Sequence, residues 1–185
     1  MVYDSAATQA RLLDSAYAEF AARGFAGTRV DRIATEAGAN KQAIYLYFGS
    51  KEALFDAVLA DRLGILADQV PFTPDDFPGY IGALFDHMVE HPELVRLTQW
   101  KLLERPDASE PEVRSHTSKA EALSQAMGIA PTRGMDVLML ALAMAQAWNT
   151  SSEAVRLIGE PRAQRLRDHR IALISAVTAV SASFL

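Results

Sequence analysis

The chain has 185 residues, half of them hydrophobic, no cysteine, and a formal net charge of −5. That is enough apolar material for a real core, so global disorder is excluded, and the lack of cysteine removes both a disulfide framework and any thiolate zinc site. The acidic balance argues against a protein that binds nucleic acid through its whole surface.

The opening residues M-V-Y-D-S-A-A-T show no basic start followed by an apolar run, so no signal peptide is expected. The longest near-apolar run, Val137 to Trp148, is interrupted by Gln146 and falls short of the roughly 18 residues a spanning helix needs. A soluble, cytoplasmic protein is therefore expected.

Almost every segment reads as helix, and no alternating strand pattern of useful length appears. Leu12, Leu13, Ala16, Tyr17, Phe20 and Ala21 recur at three- and four-residue steps, which predicts a first helix from Thr8 to Arg23 ended by Gly24 as a left-handed cap. Thr28 is placed to cap the next helix, with Asp31 three residues on as an approximate capping box and Ile33, Ala34 and Ala37 as its buried face. Residues 38–40 break the pattern, and Lys41 to Phe48 resume it as a short helix before Gly49. Ser50 then caps a longer helix through Leu54, Phe55, Val58 and Leu66.

Pro71, Pro74, Pro78 and Gly79 form the clearest breaker cluster. Beyond it the pattern predicts helices at Pro78–Glu90, Pro92–Glu104, Pro111–Met127, Arg133–Ser151 and Pro161–Ser183, four of them opening with proline, whose missing N–H costs nothing there. Polar loops are expected at 106–111 and 158–161.

The stretch Thr28 to Leu54 carries function. A helix-turn-helix needs a small residue where its helices cross, one able to bend sharply at the turn, and a branched apolar residue locking the second helix to the first. Ala34, Gly38 and Ile44 stand at spacings that satisfy these needs in order. Between Arg29 and Lys51 lie four basic residues (Arg29, Arg32, Lys41, Lys51) against two acidic ones (Asp31, Glu36), so the segment is locally positive in an acidic chain. The exposed positions of its second helix carry Lys, Gln and Tyr, which reach phosphates and base edges.

Five pieces in order, A-A-R-G-F, T-R-V-D-R-I-A, A-G-A-N-K, Y-L-Y-F and S-K-E-A-L, resemble the TetR family of bacterial transcriptional regulators over residues 8–56. The resemblance implies an all-α chain: a three-helix DNA-binding domain at residues 1–50, whose third helix enters the major groove, then a helical effector-binding and dimerisation domain at 51–185. It makes Thr28 a phosphate contact through hydroxyl and backbone N–H, and places Arg29 to reach phosphate or a groove edge. Lys41, Gln42 and Ala43 would face the bases: Gln reads adenine, Lys reads guanine, and Ala touches a thymine methyl. Tyr45 and Tyr47 resemble backbone-contacting aromatics and Lys51 a phosphate clamp, whereas Ile44 and Phe48 belong to packing. The rings of Tyr45 and Tyr47 can also cover the helix junction, and both roles can coexist.

Elsewhere the residues carry little chemistry. His87 and His91, four apart, could place two imidazoles on one metal, but no third ligand can be named, and His116 and His169 are isolated. No catalytic residue, metal or cofactor is expected. Met88, Gln99, Trp100, Met139, Met144, Trp148 and Asn149 are candidate lining for an apolar small-molecule pocket with polar partners, with ordinary core packing as the alternative for each.

Val137–Trp148 and Ile171–Val180 are apolar on more than one side, which predicts burial against a partner. The resemblance supplies a two-fold dimer in which these helices form a four-helix bundle. The expected function is thus a homodimeric regulator, more a repressor than an activator, released from a palindromic operator by a small molecule. The alternative is a helical protein-interaction module on the same fold without effector-regulated DNA binding.

Overall fold

The computed structural model describes residues 5–185. Its helices are α1 (Ser5–Gly27), α2 (Val30–Glu36), α3 (Lys41–Phe48), α4 (Lys51–Gln69), α5 (Phe77–Glu90), α6 (Pro92–Glu104), α7 (Glu110–Met127), α8 (Pro131–Thr150), α9 (Glu153–Leu157) and α10 (Arg162–Ala182), with a 3-10 turn at Pro74–Asp76 before α5. No strand occurs among the described residues, and none of their helices alone is long and apolar enough to cross a membrane.

Two local expectations are corrected. Gly24 does adopt a positive φ of 71°, but helical residues resume beyond it, so α1 kinks there and ends at Gly27. Thr28 does not cap α2: the cap position is Arg29, without a side-chain hydrogen bond, and the Thr28 hydroxyl donates backwards to the Gly24 carbonyl at 2.7 Å. Ser50 behaves as its sequence position predicts, its hydroxyl accepting from the Ala53 N–H at 3.1 Å.

The chain forms two compact units, one comprising residues up to Leu66 together with Glu93–Asp107, the other Ala67–Pro92 together with Ala108–Leu185. In the first, Leu12, Ala16 and Phe20 of α1 meet Ile33, Ala34 and Ala37, Ile44 of α3, Leu54, Phe55 and Val58 of α4, and Leu97 of α6. Each fully buried aliphatic or aromatic side chain here contributes roughly 1.5–3 kcal/mol. The rings of Phe20 and Phe55 meet edge-on at 4.9 Å, and Phe25 adds a second edge contact to Phe55 at 5.7 Å.

Helix α6 closes the kinked end of α1. The Glu104 carboxylate accepts from the Phe25 N–H at 2.5 Å and the Ala26 N–H at 3.1 Å, donors that the kink leaves without helical partners. Arg96 donates to the Ala22 carbonyl at 3.2 Å, and the Trp100 ring lies over Gly24.

In the second unit, Phe77, Tyr80, Ile81, Leu84, Phe85 and Met88 of α5 share a core region with Leu123, Val137, Leu138, Ala141, Trp148, Leu173 and Val177, all buried. Helices α7 and α8 pack tightly at Gly134, where a Cβ would overlap Ser124 Oγ and lie 2.6 Å from the Ala120 carbonyl oxygen. Asp86 and Arg170 pair at 2.8 Å between α5 and α10.

Candidate nucleic-acid interface

The helix pair that could meet DNA is built from a short chain of local causes. Gly38, at φ 61°, makes the turn after α2, a conformation that costs glycine nothing. Asn40 then caps α3, its side-chain oxygen accepting from the Ala43 N–H at 2.8 Å. Ile44 is fully buried and pins the middle of α3 to the core, while Tyr47 and Phe48 are half-buried on the same side. Lys41, Gln42, Tyr45 and Leu46 are left exposed as one contiguous arc.

Basic side chains flank that arc in different electrostatic states. Lys41 pairs with Asp31 of α2 at 3.1 Å, an exposed contact that salt screens and that DNA can displace at little cost. Lys51 is more fixed: its ammonium donates to the Thr28 carbonyl at 2.7 Å and sits 4.6 Å from the centre of the Phe25 ring. Arg29 is exposed at the head of α2. Arg32 is committed within the chain, reaching Glu19 at 2.5 Å and the Gly27 carbonyl at 2.7 Å. Burial acts to raise the Glu19 pKa, but the hydrogen bond and charge of Arg32 outweigh it, with help from Arg29 and Arg23, and the net direction is down.

Of the residues singled out in the sequence, Lys41, Gln42 and Tyr45 share one surface, and Ala43 and Tyr47 lie half-buried at its edges. Thr28 and Lys51 are in direct contact. Thr28 is 3% exposed and both its donors are used inside the chain, the N–H reaching the Phe25 carbonyl at 3.3 Å, so what it places at the surface is Arg29. Sequence reasoning missed Leu46, which is 80% exposed in the middle of α3. The available signal was its position four residues after Gln42 on a helix whose outer face is otherwise polar.

The candidate pocket residues are divided between the two units. Gln99 and Trp100 lie on α6 in the first unit, whereas Met88, Met139, Met144, Trp148 and Asn149 lie in the second. Trp148 is buried against His169 at 5.2 Å, with the Arg156 guanidinium 5.3 Å from its ring centre, and neither its indole N–H nor the Asn149 amide nitrogen has a hydrogen-bond partner. Met88 is buried, and Met144 is half-buried.

Met139 is 60% exposed and lines an open groove of about 630 Å³ between α7 and α8, together with Val113, His116, Met135, Leu142 and Gln146. None of those five reads as pocket lining from the sequence, because each is an ordinary amphipathic-helix residue and only the pairing of two helices makes a concavity of them. The His87 and His91 rings stand 4.3 Å apart, and no group of three His, Asp or Glu side chains able to hold a metal occurs among the described residues.

Comparison with known proteins agrees with this architecture. Residues 12–58 match the family described as bacterial regulatory proteins, tetR family, and residues 76–178 match the tetracyclin repressor-like C-terminal domain. The HTH-type transcriptional repressor SCO4008 of Streptomyces coelicolor is 50% identical over 108 residues, 58% of this chain and 56% of that protein. The chain thus spans about half the length of this curated relative. The crystal structure of the putative transcriptional regulator SCO4942, also from Streptomyces coelicolor, superposes with a TM-score of 0.76 at 35% identity, covering 92% of this chain and 96% of that one. A putative TetR-family regulator from Mesorhizobium loti shares the fold at 22% identity, with a TM-score of 0.62 and coverage of 96% and 98%. With the C-terminal family spanning more than half of the chain and a helix-turn-helix unit ahead of it, the protein belongs to the TetR family of bacterial transcriptional regulators.

Proposed function

We propose that the protein is a homodimeric transcriptional repressor that reads a palindromic operator with α3 and is released by a small molecule bound in its C-terminal part. The observation that carries this reading is the arc Lys41, Gln42, Tyr45 on α3, held outward by the buried Ile44 and flanked by Lys51. Within it, Gln42 and Lys41 supply base-edge hydrogen bonds, Ala43 a methyl contact, and Tyr45, Tyr47, Arg29 and Lys51 the phosphate contacts that fix register, with Thr28 setting the head of α2.

Apolar surface on the second unit, where Met139 and Leu140 of α8 and Ile171 of α10 are exposed, supports dimerisation. A two-fold pairing of these helices would bury Leu140 and Ile171, and to read successive major grooves the two copies of α3 would need to sit about 34–36 Å apart, one turn of DNA. Release by an effector needs only a difference in affinity between dimer states with matched and mismatched spacing. The groove beside Met139, and the unpartnered nitrogens of Trp148 and Asn149, support a ligand in this unit.

A salt-dependent mobility shift with the DNA adjoining its own gene tests the reading. Specific binding, weakened by Lys41→Ala and Tyr45→Ala and reversed by a compound that dissociates the complex, is expected. No binding at low salt would sink it and favour a helical interaction module instead.

A further inference from the structure

The side chain of Leu46 lies outside the buried core. It is 80% exposed in the middle of α3, although the helix has a buried side available to it. At about 100° per residue, Gln42 and Leu46 lie two residues either side of the buried Ile44 and therefore flank the point of the helix opposite it. These two positions stand furthest out from the core, so whatever α3 enters, Gln42 and Leu46 enter first. One is a hydrogen-bonding amide and the other is purely apolar.

The floor of the DNA major groove presents hydrogen-bond donors and acceptors at every base edge, and one apolar group, the C5-methyl of thymine. A leucine pressed against an amino or keto edge would strip its water and give no hydrogen bond back, which is unfavourable. Against a thymine methyl it buries apolar surface on both sides. Leu46 therefore favours thymine by attraction and disfavours other bases by desolvation.

We propose that Leu46 is a specificity-determining residue that reads the C5-methyl of a thymine in each operator half-site, in register with the base read by Gln42. The two residues are about 6 Å apart along the helix axis, which corresponds to roughly two base steps. The thymine then lies within about two steps of the Gln42 contact. This inference rests on the DNA-reading role proposed for α3.

The full-length protein is used to select duplexes from a random pool, and the enriched duplex is remade with deoxyuridine in place of thymine, one position at a time. Deoxyuridine keeps every hydrogen-bonding group and removes only the methyl. At one thymine near the base whose identity matters to the wild type but not to the Gln42→Ala variant, wild-type affinity is expected to fall about fourfold per half-site. Leu46→Ala should bind the thymine and deoxyuridine duplexes equally, with an unchanged salt slope, because no phosphate contact is lost. Leu46→Gln should select a different base at that position.

Because Leu46 lies outside the core, thermal unfolding of Leu46→Ala should match wild type, which separates a binding effect from a folding one. Equal affinity of wild type and Leu46→Ala for the thymine duplex overturns the proposal. So does a loss in Leu46→Ala that is as large on the deoxyuridine duplex as on the thymine duplex, which would indicate a sugar or phosphate contact. Failure to enrich any sequence instead overturns the DNA-reading role of α3, and this inference with it.

Discussion

A Cβ added to Gly24 would lie 2.9 Å from two ring carbons of Trp100, closer than real Cβ contacts come. The same residue holds φ 71° and ψ 179°, a region essentially restricted to glycine. Gly24→Ala therefore meets backbone strain and a steric clash together. It should lower stability by about 1–3 kcal/mol, read as a reduced midpoint in urea unfolding followed by far-ultraviolet circular dichroism. An unchanged midpoint would show that α1 passes this point without needing the kink.

Lys51 joins the start of α4 to the Thr28 carbonyl and the Phe25 ring, so its removal acts twice. Lys51→Ala should cost about 1 kcal/mol of stability from the partly exposed contact. It should also reduce the salt slope of operator binding by about one per protein copy. Mobility shifts over a range of salt concentrations check the second effect, and an unchanged slope would remove Lys51 from the phosphate contacts.

The α7–α8 approach at Gly134 leaves no room for a side chain. Gly134→Ala should destabilise the protein by about 1–3 kcal/mol as overpacking. Adding Ser124→Ala removes the Oγ overlap but not the Ala120 carbonyl, so recovery in the double variant should be partial. Full recovery by thermal melting would mean that the backbone contact relaxes freely.

Stability should also depend on mildly acidic pH. Burial, then the neighbouring His91, lowers the pKa of His87 below its usual 6.5, and burial, then Arg165, does the same for His169. The unfolded chain therefore takes up protons before the folded one as pH falls. The contribution is full above about 6.5 and is lost as pH drops through the lowered folded values. Melting temperature should fall as pH drops below about 6.5, and His87→Gln combined with His169→Gln should flatten that slope. An identical slope in the double variant would assign the dependence to other groups.

Leu140 and Ile171 are exposed on α8 and α10 in the single chain, at 48% and 64%. Leu140→Asp or Ile171→Asp should shift sedimentation from dimer to monomer and weaken operator binding while leaving the helical spectrum intact. A dimer that persists in both variants would place the interface elsewhere.

The sequence was most informative where local chemistry decides structure. Asn40 and Gly49 bracket α3, and Ile33, Ala34 and Ile44, recognised from spacing, are all buried. It misled where two chain-distant segments decide. Thr28 reads as a cap, but the kink at Gly24 offers its hydroxyl a carbonyl instead. The approach of Trp100 to Gly24 was not legible either, because apolar pattern states that a side chain is buried and not what it is buried against. The five-residue α9 is too short for periodicity to register. Leu46 was overlooked because a lone exposed leucine ordinarily carries no information, and acquires it only from the partner that its helix faces.

Because Glu93–Asp107 belongs with the N-terminal unit, the chain leaves that unit at Leu66 and must return before it is finished. A fragment ending at Leu66 would lack Trp100 and Glu104, and with them the ring over Gly24 and the acceptor for the Phe25 and Ala26 amides. The helix-turn-helix head is therefore not a transferable cassette. A chimera joining this head to another regulator's body would need α6 of this chain as well.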